Sequence, residues 1–315
     1  MADRQTTLRS PVTLEGIGVH SGAPACLCLR PSAANTGVVF LRKGLEGGHE
    51  QLIHARHNKV SATELCTVVG EQASGSVATI EHLMSACAGL GLDNVLVEID
   101  GPEMPIMDGS ASEFVKAIEA AGIVALGAAR RYLKVLRTVR VENGRAFAEL
   151  SPAESGFRLD VEIDFDTSAI GRQRKIFDLD PEAYAREISR ARTFGFMRDV
   201  EQLWKAGFAL GASLDNTVAI GDDKVINPEG LRYADEFVRH KVLDAVGDLS
   251  LAGYPMLGEF RSYCGGHRMN IRILEALFAD RANYAIVEAE PVYAPRAVQM
   301  AASVPMPAAL APDLH

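Results

Sequence analysis

Apolar and polar positions in the first half of the chain alternate with period two in some stretches and follow helical spacing in others. Alternation predicts strands, and apolar residues three and four apart before a glycine predict a helix. Thr79 and Ser112 are expected to cap two helices, because a hydroxyl can accept a hydrogen bond from a free backbone N–H there. The predicted elements are strands at 26–30, 38–41 and 94–99 and helices at 80–88 and 112–121.

A similar order of elements returns in the second half. Strands are predicted at 132–141, 146–150, 158–165 and 284–289, and helices at 181–190, 236–252 and 269–279. Strands followed by helices, twice over, predict an α+β fold of two similar domains joined near 126–130. We expect an N-terminal domain at 1–127, a C-terminal domain at 128–290 and a loosely ordered, Ala- and Pro-rich tail at 291–315.

The composition of the 315-residue chain narrows the class of protein. A net charge of -9 argues against nucleic-acid binding, which needs a basic surface. The longest uncharged run is broken by prolines, so we expect no transmembrane segment, and the first residues lack the apolar core of a secretory signal. Five cysteines without CxxC spacing indicate reduced thiols and a cytoplasmic protein.

His240 and Asp244 lie four residues apart in the predicted helix 236–252. Residues at this spacing share a helix face, so the imidazole and the carboxylate can bind one ion. Asp248 extends the same face by four residues, and its carboxylate can orient another imidazole. The alternative is a surface helix whose His and Asp side chains face water.

A second acid–imidazole pair, Glu81–His82, interrupts an apolar helix. Burying either side chain unpaired is costly, which favours a partner; a salt bridge or an exposed helix start is the alternative. With His82 as a third ligand, Glu81 is close enough to accept a proton from a water that the metal acidifies. His267, on a predicted loop after two glycines, is a candidate proton donor near neutral pH. Together these groups are typical of a hydrolytic zinc site.

Two further features have open interpretations. Lys241 is expected to point away from the face of Asp244, either bordering the site or solvated. An apolar series that includes Val200, Leu203 and Phe208 follows the segment 190–199. Its periodicity favours packing in the core, and the alternative is a mobile insert that walls an apolar channel.

Several motifs resemble those of the UDP-3-O-acyl-N-acetylglucosamine deacetylases, the zinc amidases of the committed step of lipid A biosynthesis. The resemblance extends from about residue 5 to residue 280 and includes all of the candidate residues above. It implies two similar α+β domains with their helices packed between two sheets, and inserts near 61–75 and 191–216. The motifs are GIGVHSG at 16–22, TIEHL at 79–83, PIMDGS at 105–110, RTFGF at 192–196 and FVRHKVLD at 237–244.

The resemblance also implies a role for each site residue. The implied cofactor is Zn²⁺, with His82, His240 and Asp244 as its ligands. Glu81 would be the general base and His267 the general acid, oriented by Asp248, while Thr193 and Lys241 would stabilise the oxyanion. Substrate contacts are implied for His20 and Arg268 and for residues that would line a passage for the acyl chain, which replaces the core interpretation: Phe194, Met197, Val200, Leu203 and Phe208.

The implied substrate is a UDP-linked, 3-O-acylated N-acetylglucosamine, which loses its acetyl group as acetate. Its lipid tail implies only a peripheral approach to a membrane, and we expect a monomer. A zinc amidase acting on another N-acyl substrate and a non-catalytic protein that has kept the fold are the alternatives. The absence of an HExxH motif argues against a common zinc protease.

This chain departs from the family pattern at one position. Many members have a lysine three residues before the histidine equivalent to His267, and here that residue is Cys264. Arg261 or Arg268 is then the candidate for a contact with the diphosphate. Cys66 matches a family cysteine near the metal, where it is either an additional ligand or a bystander.

Overall fold

The computed structural model describes residues 3–71 and 73–289, so the predicted tail at 291–315 lies outside the described residues. The helices are α1 (Glu81–Leu90), α2 (Ser112–Ala121), α3 (Pro181–Glu187), α4 (Met197–Lys205), α5 (Glu236–Leu249) and α6 (His267–Phe278). The strands of the first half are β1 (Arg4–Leu8), β2 (Val12–Ile17), β3 (Pro24–Pro31), β4 (Val38–Arg42), β5 (Gln51–His54), β6 (Val60–Ala62), β7 (Val68–Glu71), β8 (Gly75–Val77), β9 (Val95–Ile99) and β10 (Ile123–Ala129). Those of the second half are β11 (Arg131–Val135), β12 (Val139–Asn143), β13 (Ala146–Ser151), β14 (Phe157–Asp164), β15 (Arg172–Asp178), β16 (Phe194–Phe196), β17 (Val218–Ile220), β18 (Met256–Tyr263) and β19 (Tyr284–Glu288).

The strands form two larger sheets and three small ones. The first larger sheet has the order β2-β3-β9-β4-β5, and the second has β12-β13-β18-β11-β19 with β14 and β15 attached through β18. Within the described chain every pair of named strands joins partners on the same side of residue 130. This pairing supports two domains, while their bounds at 1–127 and 128–290 stay a prediction.

Helices α1, α2, α5 and α6 lie between the two larger sheets, as expected for this α+β fold. α2 packs against β2 of the first sheet, α6 against β12 and β13 of the second, and α1 packs against α5 in the middle. One buried apolar cluster contains residues from both sheets and from these helices, among them Phe40, Leu83, Leu150, Leu243 and Phe260. Burial of these faces holds the two halves together, because apolar area removed from water is the main stabilising term.

Each predicted insert contains secondary structure of its own. The first, near 61–75, includes most of the three-stranded sheet β6-β7-β8. The second, at 191–216, contains β16 and α4, and β16 pairs in parallel with β17 just beyond it. A helix between two parallel strands is the usual crossover connection.

One predicted strand was wrong because the chain changes partners within it. The strand expected at 132–141 is two strands: β11 pairs with β18 and β19, whereas β12 pairs with β13. The segment 126–130, where the two domains were expected to join, is mostly strand, since β10 pairs with β1 as far as Ala129. The position of the junction stays a prediction.

Both helix-cap predictions were also wrong. Thr79 has a positive φ of 56°, and its hydroxyl donates to Glu103 at 3.0 Å instead of capping α1. Ser112 is already the first residue of α2, and its backbone N–H donates to the hydroxyl of Ser110 at 3.1 Å. The true side-chain cap on α3 is Asp180, whose carboxylate accepts hydrogen bonds from two backbone N–H groups.

Candidate metal centre

Three helices bring the candidate residues together. Glu81 and His82 are the first residues of α1, and α5 presents His240 and Asp244 on one face. His267 begins α6, so the loop predicted for it was wrong. α1 and α5 approach so closely that a Cβ on Gly247 would collide with the carbonyl of Glu81. Glycine at this position therefore allows the two halves of the site to meet.

The ligand-type atoms of His82, His240 and Asp244 all lie within 4.8 Å of one another. Asp244 Oδ1 is 3.3 Å from His240 Nε2 and 3.8 Å from His82 Nε2. Ligands about 2.0–2.2 Å from one tetrahedral ion would be separated by about 3.4 Å. The three side chains are almost completely buried, which protects the group from bulk water.

The protonation of these three residues suits a bound cation. Burial lowers the pKa of His82 to about 4 and that of His240 to about 3, so both imidazoles are neutral. Burial acts to raise the pKa of Asp244, but His240 and Lys241 outweigh it and lower that pKa, so the carboxylate is ionised. Asp244 Oδ1 is buried with no hydrogen-bond donor in the described chain, although two imidazole nitrogens face it. A cation bound between Asp244 Oδ1 and the two imidazole nitrogens would satisfy all three of these acceptor atoms.

A hydrogen bond fixes the orientation of one ligand ring. His240 Nδ1 lies 3.1 Å from the backbone carbonyl of Ala191. A carbonyl can only accept, so Nδ1 carries the proton and the lone pair of Nε2 points toward Asp244.

Glu81 and His267 form an acid–base pair beside the ligands. Glu81 Oε1 lies 3.9 Å from His267 Nε2, and burial raises the pKa of Glu81 to about 7. Burial acts to lower the pKa of His267, but Asp248 and Glu81 outweigh it and raise that pKa to about 10. His267 Nδ1 lies 2.8 Å from Asp248 Oδ2, which is the orienting contact expected from the sequence.

Thr67 contacts Glu81 and Asp248, the carboxylate that orients His267, and it was missed at the level of sequence. Its backbone N–H donates to Glu81 Oε2 at 3.0 Å, and its hydroxyl donates to Asp248 Oδ1 at 2.6 Å. Asn270 adds a hydrogen bond of 2.9 Å to Asp248 Oδ2. All of these partners are buried, so each hydrogen bond satisfies a group that water cannot reach. The one available signal was the position of Thr67 next to Cys66.

Lys241 lies closer to the site than we expected. Its ammonium donates to Asp244 Oδ2 at 2.8 Å and lies 5.3 Å from the ring centre of Phe194. The expectation that it points away was wrong, because residues three apart on a helix also share a face. Thr193 is held by backbone hydrogen bonds to Gly109 and Val218, and its hydroxyl has no hydrogen-bond partner in the described chain.

A buried ion pair anchors the segment that precedes α4. Arg192, only 2% exposed, donates from Nε and from its backbone to Glu236 Oε1, and Nη1 donates to Glu229. Glu236 is the first residue of α5, so this pair ties the segment to the helix that carries two of the ligands. Arg192 was noted in the sequence only as part of the RTFGF motif, and this ion pair was not predicted, because its partner Glu236 is distant in sequence.

The apolar series of the second insert is not part of the core. No residue of α4 is buried, and Met197 and Trp204 are 46% and 56% exposed. The core interpretation from periodicity was therefore wrong. Phe194 packs edge-on against His240 at 6.2 Å between ring centres, which connects the insert to the ligand group. Val200, Leu203 and Phe208 are half-buried.

The remaining substrate candidates lie at different depths. His20 packs edge-on against Phe208 at 5.4 Å, and its Nδ1 accepts a hydrogen bond from the backbone N–H of Ala209. Arg268 is exposed beside His267. Arg261 pairs with Asp160 at 3.5 Å, so that carboxylate already partly neutralises it.

The two cysteines singled out in the sequence differ in environment. Cys264 is half-buried, and its thiol lies 3.8 Å from the carbonyl of Asp164. Cys66 is buried and lies outside the group of three ligands, which was sought among the described residues. Burial raises the pKa of Cys66 to about 12, so the free thiol is protonated at neutral pH.

An α+β fold with a buried group of two imidazoles and a carboxylate beside an acid–base pair defines the class of protein, a metal-dependent hydrolase. Comparison with known proteins identifies the family: this chain belongs to LpxC, UDP-3-O-acyl N-acetylglycosamine deacetylase, whose model matches residues 5–279. It is 50% identical over 286 residues to the UDP-3-O-acyl-N-acetylglucosamine deacetylases of Brucella ovis and Brucella abortus. The protein of the same name from Brucella melitensis biotype 2 is 49% identical. Each match covers 90% of this chain and 99% of the relative.

Among the described helices, none combines the length and the apolar character required to cross a bilayer.

Proposed function

We propose that Zn²⁺ bound by His82, His240 and Asp244 supports the deacetylation of a UDP-3-O-acyl-N-acetylglucosamine, with release of acetate, in lipid A biosynthesis. Family membership supports the reaction, since the similar Brucella proteins bear the name of this deacetylase over nearly their whole length. Two imidazoles and one carboxylate are a common catalytic zinc set. The observation that carries the metal proposal is the orphaned Asp244 Oδ1, buried 3.3 and 3.8 Å from two imidazole nitrogens.

The reaction needs a nucleophile, a base and an acid. When bound, the cation supplies Lewis acidity, which makes water a stronger acid and a carbonyl carbon more electrophilic. Glu81, held by the N–H of Thr67, accepts the proton of the attacking water. The new C–O bond forms at the acetamide carbon, and Lys241 and Thr193 stabilise the negative charge that develops on the carbonyl oxygen.

Collapse of the tetrahedral intermediate breaks the C–N bond. His267, protonated because Asp248 raises its pKa, donates a proton to the departing sugar nitrogen. The immediate products are acetic acid and a free 2-amine, and the acid passes its proton to the amine to leave acetate. The proton that Glu81 accepted returns to His267, which restores both groups. The short separation of Glu81 and His267 lets them act on the two sides of one amide.

The apolar side chains of the second insert, which lie outside the core, are the candidates for recognition of the substrate's acyl chain. We propose that Phe194, Met197, Val200, Leu203 and Phe208 line the passage for the 3-O-acyl chain. His20, which contacts Phe208, lies at the entrance to it, and Arg268 contacts the diphosphate. We also propose a monomer in the cytoplasm with peripheral membrane contact.

Two substitutions distinguish the proposed role of Glu81 as general base from that of His82 as metal ligand. Glu81→Gln keeps the shape of the side chain but cannot accept a proton, so we expect metal content to remain and acetate release to fall by at least about 100-fold. His82→Ala should lose both the metal and the activity. Metal content by mass spectrometry and acetate release from the acylated UDP-sugar are the measurements. Parent-like turnover by Glu81→Gln would rule out its role as base.

A further inference from the structure

A cavity of about 440 Å³ opens between the two halves of the molecule, at the C-terminal end of α1. Its wall includes Met84 and Cys87 of α1, Leu249 of α5 and Met256 of β18, all of them buried apolar residues. Its volume is within the range of about 300–1,000 Å³ typical of small-molecule sites. None of the three proposed metal ligands lines it.

The charged residues that line the cavity are mostly arginines. Arg130 pairs with Asp93 at 2.9 Å. Arg56 and Arg131 have no carboxylate within salt-bridge distance in the described chain, and Asp180, which also lines the cavity, is used as the cap of α3. Two unneutralised guanidinium groups in one cavity of a chain with net charge -9 favour an anionic ligand.

The two free guanidinium groups are held in place. Arg56 and Arg131 lie 5.2 and 5.3 Å from the ring centre of Tyr254. Arg56 also donates to the carbonyl of Ala252 at 3.2 Å, and Arg131 donates to Asn35 Oδ1 at 2.7 Å. Each guanidinium carries five N–H donors, so most remain available for a ligand.

Glycine at position 253 makes room for this arrangement. Gly253 has a φ of 79°, and a Cβ there would collide with the guanidinium of Arg56. The backbone is thus shaped to hold Arg56 at the cavity, which distinguishes this arginine from one that extends freely into solvent.

We propose that this cavity binds an amphiphilic anion, with a phosphate monoester or carboxylate head on Arg56 and Arg131 and an apolar body against Met84, Cys87 and Leu249. Guanidinium groups recognise both head groups with paired hydrogen bonds. Burial of each methylene of the alkyl body should tighten binding about fourfold. The site lies apart from the metal ligands, so the proposal stands independently of the proposed reaction.

The test is isothermal titration calorimetry of the metal-loaded full chain with octyl phosphate and with octanoate. Inorganic phosphate tests the head group without the alkyl chain, and octyltrimethylammonium tests the chain with a positive charge. We expect saturable binding of at least one octyl anion and much weaker binding of the other two probes. The double variant Arg56→Gln/Arg131→Gln should weaken that binding at least tenfold. The matched control Arg158→Gln/Arg172→Gln removes the same charge from an outer sheet surface and should bind as the parent does.

A second variant tests the apolar body. Ala88→Leu adds volume to the cavity wall without changing charge, and it should also reduce octyl anion binding. If the double variant fails to fold, Ala88→Leu still tests the proposal. Absence of saturable binding, equal binding of inorganic phosphate, or undiminished binding by both variants would overturn the proposal. Binding lost only on Phe194→Ala would place the ligand in the acyl passage and overturn it equally.

Discussion

Glu81 and His267 both have pKa values above their ordinary ranges, about 7 and about 10. Glu81 acts when deprotonated, so kcat/KM should rise as pH increases through its pKa. The bound cation favours the carboxylate and moves this limb to or below pH 7. His267 acts when protonated, so activity should fall as pH passes about 10. The measurement is the pH profile of kcat/KM for acetate release.

Asp248→Asn provides the control for this profile. The Asp248 carboxylate raises the pKa of His267, so its removal should move the alkaline limb to lower pH. The acid limb, which belongs to Glu81, should move much less. An alkaline limb that stays in place would contradict the assignment of His267 as the acid.

Thr67 links the proposed base, Glu81, to Asp248, the carboxylate that orients the proposed acid, His267. This link gives a second prediction at the residue scale. Thr67→Val keeps the backbone N–H that contacts Glu81 but removes the hydroxyl donor to Asp248. Loss of a buried hydrogen bond to a charged group should cost about 1.5–3 kcal/mol of unfolding free energy. We expect kcat to fall more than KM rises, and the alkaline limb of the pH profile to shift.

Thr67→Ser is the matched control, because it restores the hydroxyl. Urea denaturation midpoints and steady-state kinetics of both variants are the measurements. If valine matched the parent in stability and in pH profile, Thr67 would not position Asp248.

At the scale of elements, the close approach of α1 and α5 decides whether the site forms. Gly247→Ala places a Cβ against the carbonyl of Glu81. Overpacking of this kind should cost about 1–3 kcal/mol and displace Glu81 and His82, so activity should fall together with the denaturation midpoint. The matched control is Gly127→Ala in β10, where a Cβ meets nothing within 4 Å. Equal effects of the two substitutions would contradict the explanation.

The same elements explain which parts of the site the sequence could predict. His240, Asp244 and Asp248 were found because one helix places residues four apart on one face. Thr67 was missed because its bond to Asp248 joins residues 181 positions apart, and no local pattern reports such a contact. The start of α6 at His267 was missed because two glycines suggested a loop, whereas Gly266 adopts extended backbone immediately before the helix.

The element scale also explains the false caps. Thr79 has the residue type of a helix cap, yet its hydroxyl donates to Glu103, which also accepts hydrogen bonds from the backbone N–H groups of His20 and Ser21. A distant carboxylate therefore competes with the local helix start. Local propensity predicted the presence of α1, and tertiary contacts determined how it begins.

At the scale of the whole molecule, the metal group draws His82 from the first half of the chain and His240 and Asp244 from the second. A ligand that binds only the folded state stabilises it, by about 4 kcal/mol at a free concentration 1,000 times Kd. Because both halves contribute, zinc should raise the midpoint of a single cooperative thermal transition, and a chelator should lower it. His82→Ala and His240→Ala should each abolish the zinc-dependent shift, whereas the exposed His49→Ala should retain it. Differential scanning calorimetry with and without zinc measures this, and a shift retained by His82→Ala would show that the two halves do not share the ion.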